Sequence, residues 1–223
     1  MGPSLDLENG WDFRVVQRQG EAVRRVQELQ PRVLMLSPPR TVFSQVQHTM
    51  LHRRDLDKRA ARYGEGLCLW KFACRLFKLQ VLAGRYAVLE RPWLATSWKL
   101  LSADKLRHLP GVRDYVFDQC LHGLCTTVEK NPVRKRTRLL SNWPFLAHDF
   151  NQRCNALTCN HTPASHTWLQ GHEGFESRCR AAQVYPLPMV QAMARLVRME
   201  VLHRPAEPLD SEESDVELPS PCL

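Results

Sequence analysis

The chain has 223 residues, 43% hydrophobic and 24% charged, apolar enough to bury one core and too apolar for a wholly disordered or collagen-like chain. No run approaches the roughly 20 apolar residues that a membrane helix needs, and MGPSLDLENG has neither the basic stretch nor the apolar core of a secretion signal. An intracellular protein, nuclear or cytoplasmic, with no membrane partner is expected.

The formal net charge is +8, but all 31 basic residues lie at or before Arg204, whereas six of the 23 acidic ones follow it, which leaves residues 1–204 at +14. A body that basic favours a polyanion such as DNA or RNA, and the acidic tail can compete for the same surface. Eight Cys without a secretion signal read as free thiols, some buried as small hydrophobes.

Along the chain, Ala22, Val23, Val26 and Leu29 recur at helical spacing, and Pro31 ends that pattern before a buried strand over Val33–Ser37. A second helix is predicted from about Asp55 to Ala83, where Leu67, Leu69, Trp70, Ala73, Cys74, Leu76, Phe77, Leu79 and Gln80 suit a well-buried helix, with Gly84 as its stop. Tyr86–Glu90 is a short apolar run closed by Arg91-Pro92, followed by a helix over Ser97–His108. Val112–Asp118 and Arg136–Asn142 are further strand candidates, and Met189–Leu202 is the last amphipathic helix.

This alternation predicts an α/β domain over residues 1–203, with a mostly parallel sheet, flanking helices and right-handed crossovers. Residues 204–223, rich in Pro, Ser, Asp and Glu, read as a disordered acidic tail, in which Ser214 followed by Glu217 suits an acid-directed kinase. In open α/β sheets ligands bind beyond the carboxyl ends of the strands. Attention therefore falls on the residues that follow each strand.

Those residues form an ordered set: VLMLSPPRTVFS over 33–44, VLERP over 88–92, DQCLHGL over 118–124 and VRKRTRLLSN over 133–142. In this order they resemble the DNA cytosine-5 methyltransferase-like family, in its compact phage and protist retroelement-associated form. LENGWDF at 7–13 and VYPLPMVQAMARL at 184–196 look like it too, so the likeness spans most of residues 5–200. The resemblance implies a Rossmann-like methyltransferase domain, S-adenosylmethionine as cofactor and a nucleic-acid partner, DNA rather than RNA.

The family's Pro-Pro-Cys loop supplies a thiolate that adds to cytosine C6. Here Arg40 stands where that Cys is expected, and a guanidinium cannot act as the nucleophile. By resemblance Glu90 is the carboxylate that contacts the flipped base, and Arg138 belongs to the basic strand that supports the base pocket. Arg134, Lys135 and Arg136 are assigned to nucleic acid, although an edge strand carrying solvated charge has the same composition. Period-2 alternation points Arg134, Arg136 and Arg138 to one face.

For the cofactor, Ser37, Pro38 and Pro39 would line the transfer loop and Asp6 would contact the adenine or ribose, unless Asp6 instead caps a turn at Asn9-Gly10. Only ten residues precede Trp11, without the strand and Gly-containing loop that open full-length relatives. Weak or lost S-adenosylmethionine binding is expected.

Cys154, Cys159, His161 and His166 read C-x4-C-x-H-x4-H, with His172 and Cys179 nearby. The spacing is not a usual zinc-finger pattern, and a polar loop with unrelated Cys and His is the preferred reading, so no metal is assigned. Of the six Trp, Trp93 and Trp98 flank the loop after Glu90 and are the candidates for base stacking, against helix–sheet packing as the alternative.

The expected protein is thus a degenerate cytosine-5 methyltransferase-like chain that binds nucleic acid, with methyl transfer lost or impaired. The alternatives are an active enzyme completed by upstream sequence, an interaction scaffold regulated by its tail, and a mobile-element remnant.

Overall fold

The computed structural model describes residues 4–39, 41–43, 56–155, 166, 167, 169, 172, 173 and 176–203. Arg40, Cys159, His161, Trp168 and the acidic tail with Ser214 lie outside the described residues.

Helix α1 (Val16–Leu29) buries Ala22, Val23 and Val26 of the predicted face but leaves Leu29, in its last turn, exposed, and ends at Gln30, which takes a left-handed conformation with φ 42°. Strand β1 (Val33–Leu36) begins after Pro31 and Arg32; it lies at the edge of the sheet, so the strand expected to be buried buries only Leu36 and leaves Met35 exposed. Helix α2 (Leu56–Leu82) buries Trp70, Ala73, Leu76, Phe77 and Gln80. Its buried amide is satisfied: Gln80 donates to the Pro31 carbonyl and accepts from Arg85, tying the end of α2 to the start of β1. Gly66 faces the short 3-10 turn Thr41–Phe43, where a Cβ would collide with the Val42 side chain. Gly84, at φ 68°, lets the chain turn out of α2.

Strand β2 (Tyr86–Pro92) runs two residues beyond the expected stop. Pro92 is its terminal residue, a position where the missing N–H costs no ladder bond. The helix expected over Ser97–His108 is split into a 3-10 turn (Thr96–Lys99) and α3 (Leu101–Arg107), because Leu100 between them is extended. Strand β3 (Arg113–Asp118) leads into a 3-10 turn (Gln119–His122), then β4 (Arg136–Ser141) and α4 (Leu146–Asp149). A hairpin of β5 (His172–Glu173) and β6 (Glu176–Ser177), a short α5 (Arg178–Ala181) and α6 (Leu187–His203) complete the order.

The four-stranded sheet has the order β1-β2-β4-β3. It is mixed α/β, as expected, but not mostly parallel: β1 pairs parallel with β2, whereas β4 pairs antiparallel with both β2 and β3. The reason lies in the connections. Helices α2 and α3 return the chain to the starting edge between β1, β2 and β3, so these three strands run the same way. Between β3 and β4 there is no crossover helix, only the 119–122 turn and an isolated bridge of Cys125 with Pro132. Without a crossover, the chain re-enters the sheet reversed.

Alternation along the strands divides the core. Leu36, Ala87, Leu89 and Leu140 meet α1, α2 and α3 on one face. Val88, Tyr115, Phe117 and Leu139 meet α4 and α6 on the other. Among the described residues, no helix is long and apolar enough to cross a membrane.

Trp70 is the anchor of the first face: fully buried, edge-on to Trp98 at 5.7 Å, with its Nε1–H donating to Ser102 at 2.7 Å. Trp70→Ala is expected to cost about 3–5 kcal/mol. An unfolding free energy, measured in urea, lowered by less than a third of that would show that α2 is not held through this residue.

Candidate functional site

Because β1, β2 and β3 share a direction and β4 is reversed, the carboxyl ends of the first three and the amino end of the fourth lie at one edge of the sheet. Ser37 hangs exposed just after β1, Pro38 is half-buried and Pro39 exposed. Glu90, near the end of β2, is buried at 7% exposure. Tyr185, in the loop before α6, joins them. Its hydroxyl donates to Glu90 Oε2 at 2.9 Å, so the Ser37 hydroxyl is the donor in its 3.1 Å contact with Tyr185. The other oxygen, Glu90 Oε1, is buried with no hydrogen-bond partner among the described residues. The arrangement links a surface hydroxyl through a phenol to a carboxylate that retains acceptor capacity.

Glu90 is not paired with its neighbour Arg91, because alternation sends them to opposite faces. Arg91 is fully buried, with its guanidinium 5.0 Å from the ring centres of both Phe43 and Trp70. The same alternation separates Glu90 from Arg138, which lies opposite Arg91 in the ladder. Arg138 covers the Trp93 ring at 4.0 Å and forms a 3.6 Å ion pair with Asp114, which also takes Arg107 at 3.1 Å. Burial lowers the Arg138 pKa from its ordinary value. Trp98 is buried and donates to the Pro92 carbonyl at 3.0 Å, leaving half-buried Trp93 as the more accessible of the two stacking candidates.

The basic run behaves residue by residue. Arg134 precedes β4 and is exposed. Lys135 is buried, donating to the Ala182 carbonyl at 2.8 Å with its ammonium 5.6 Å from the Tyr185 ring centre. Arg136 forms a fork with Asp118, at 2.9 and 3.0 Å. Its pKa is held above the ordinary value, first by those hydrogen bonds.

Asp118 gathers several segments. It is fully buried, holds the Arg136 fork, accepts the Cys154 N–H at 3.0 Å, and donates its own N–H to Gln152 at 3.2 Å. This brings Cys154 against Cys120 in the turn after β3, and His166 completes the group with its Nε2 3.3 Å from each sulfur. Two members of the C-x4-C-x-H-x4-H pattern therefore meet, together with a Cys that its spacing does not contain. Cys159 and His161 lie outside the described residues. Cys179 instead donates to the Leu169 carbonyl at 3.2 Å, and His172 sits exposed in β5.

Asp6 does cap its turn. Ser4 Oγ donates to one carboxylate oxygen at 2.7 Å and the Asn9 N–H to the other at 3.0 Å, and these bonds lower the Asp6 pKa. Gly10 closes the turn at φ 80°. Of the residues assigned to S-adenosylmethionine, Asp6 uses both carboxylate oxygens in its own turn and Ser37 is bonded to Tyr185. Hollows of about 490 Å³ beside α1 and about 290 Å³ between the 119–122 turn, α4 and α6 include neither Ser37 nor Glu90. In comparisons with known proteins, no family model, no curated protein and no solved structure matches this chain.

Sequence reasoning missed Tyr185 and Cys120 as site residues. Both stand inside motifs that were singled out, but only the fold brings Tyr185 to Glu90 or Cys120 to Cys154.

Two predictions follow from this geometry. Asp118→Ala strands a guanidinium and a buried N–H at once and is expected to cost about 3 kcal/mol, against less than about 1 kcal/mol for Asp114→Ala on the more open pair. Equal urea midpoints for the two variants would contradict the hub. The second concerns His122, which stacks on Phe150 at 5.0 Å and donates from Nε2 to the Asp149 carbonyl at 3.1 Å, while burial lowers its pKa. The unfolded chain therefore binds this proton more readily, so stability falls as pH drops below about 6.5. Comparing urea midpoints at about pH 7.5 and 5.5, His122→Phe should flatten the acid-side loss; an unchanged slope would remove His122 from it.

Proposed function

We propose that the chain is a degenerate relative of cytosine-5 DNA methyltransferases that binds nucleic acid, DNA in preference to RNA, at the strand-end edge, and has lost efficient methyl transfer. The observation that carries this reading is the Ser37–Tyr185–Glu90 chain, which leaves one buried carboxylate oxygen without a hydrogen-bond partner among the described residues, at the edge where the resembling motifs collect. A base edge with an exocyclic amine carries a donor for such an oxygen.

Polyanion attraction is supplied by the +14 charge of residues 1–204. Arg134 is the phosphate contact among the three assigned basic residues. Lys135 and Arg136 act as braces, through Ala182 and Asp118. Arg138 braces the opposite face of the sheet against Trp93 and Asp114. Loss of methyl transfer rests on Arg40 in the nucleophile position and on the local use of the Asp6 carboxylate. No step is assigned to S-adenosylmethionine.

The test is fluorescence anisotropy with a short cytosine-containing duplex and its RNA counterpart over a salt series. The logarithm of the affinity is expected to fall linearly with log salt, with tighter binding to DNA than to RNA, and Arg134→Ala should weaken binding and reduce the slope by about one. No binding at low salt, or binding indifferent to salt, would overturn the reading.

A further inference from the structure

We propose that Cys120, Cys154 and His166 form a structural zinc site at the base of the strand-end edge. Three segments distant in sequence deliver one donor atom each, and each segment has its own backbone anchor. The 3-10 turn after β3 presents Cys120 and closes through Gly123, at φ 81°, whose N–H donates to the Cys120 carbonyl at 3.1 Å. Cys154 is pinned through Asp118, which takes its N–H and donates to Gln152 two residues earlier. His166 is positioned by the next residue, Thr167, whose N–H donates to the Pro132 carbonyl at 2.8 Å, beside the Cys125 bridge.

The donor atoms converge as a metal requires. His166 Nε2 lies 3.3 Å from both Cys154 Sγ and Cys120 Sγ, and all three atoms fall within 4.8 Å of one another. Zinc held at 2.3 Å from sulfur and 2.0–2.1 Å from nitrogen in tetrahedral geometry separates the S and N donors by about 3.6 Å, a few tenths from the distances here. A ring nitrogen carries either one lone pair or one N–H and serves one sulfur at a time, whereas a central cation is shared by all three donors.

Two thiolates and an imidazole make a soft set that suits zinc rather than calcium or magnesium. The guanidinium of Arg136, held by Asp118, lies near enough to interact with both sulfurs. Each Cys is only 6% exposed, which suits a closed structural centre and not a nucleophile awaiting an outside substrate. A fourth donor, water or side chain, completes the tetrahedron. The metal would lock the turn after β3 to the 152–154 segment and thereby fix the edge of the sheet.

The full chain, purified without chelator and dialysed against zinc, is expected to hold about one zinc per chain. Its cobalt form should show thiolate-to-cobalt charge-transfer absorption. Cys120→Ser and His166→Ala should lower retained zinc about tenfold or more, while Cys125→Ser, at an exposed thiol, should not. Should the variants fail to fold, the wild-type chain still decides: chelation should lower Tm and restored zinc should recover it. Zinc below about a tenth per chain in the wild type, a Cys120–Cys154 disulfide in protein purified without reductant, or undiminished zinc in a folded Cys120→Ser, Cys154→Ser double variant would overturn the proposal.

Discussion

The buried carboxylate of Asp118 is the constraint on which the strand-end edge depends. A charge taken fully out of water persists only where donors surround it, and here they come from two places, the Arg136 guanidinium at the start of β4 and the Cys154 N–H, while the Asp118 backbone N–H separately donates to the Gln152 carbonyl. Satisfying one carboxylate thereby sets the end of β3 against the start of β4 and draws the 152–154 segment under both. Cys120, two residues on, is carried to Cys154 by the same arrangement. The register of Asp118 opposite Arg136 is consequently an electrostatic statement as much as a hydrogen-bonding one.

Charge on this chain is distributed in a way that a count conceals. Arg136 and Arg138 share one face of β4, as alternation requires, yet Asp118 and Asp114 neutralise them from β3. Lys135 is turned inward to a carbonyl and an aromatic ring. Of the basic run only Arg134 stands exposed. The strand-end edge therefore presents Arg134 as the exposed cation of this run, beside a buried acceptor at Glu90.

The positions of helices and strands were legible because their signals are local. Ala22, Val23 and Val26 mark the buried side of α1, and in β2 the continuous run at 86–90 reflects burial on both faces, whereas the edge strands β1 and β3 carry shorter apolar stretches at 33–36 and 115–117. The reversal of β4 was not legible from its own residues; it follows from the missing crossover helix between Asp118 and Arg136. The candidate site was half legible. Motif order marks Ser37 and Glu90, but Tyr185 reaches them across 148 and 95 residues of sequence, and no local pattern encodes such contacts. Arg138 illustrates the opposite failure: it is near Glu90 in the motif list, and strand alternation places it on the other side of the sheet.

The most direct test of the account is backbone hydrogen exchange of the full chain during titration with a short cytosine-containing duplex. If nucleic acid sits at the strand-end edge, protection should gather in the segments 91–95, 119–124, 134–136 and 184–189. Protection confined to α1 and α2, with those segments unchanged, would mean that the basic helices and not the strand ends hold the polyanion, and would contradict the account at its centre.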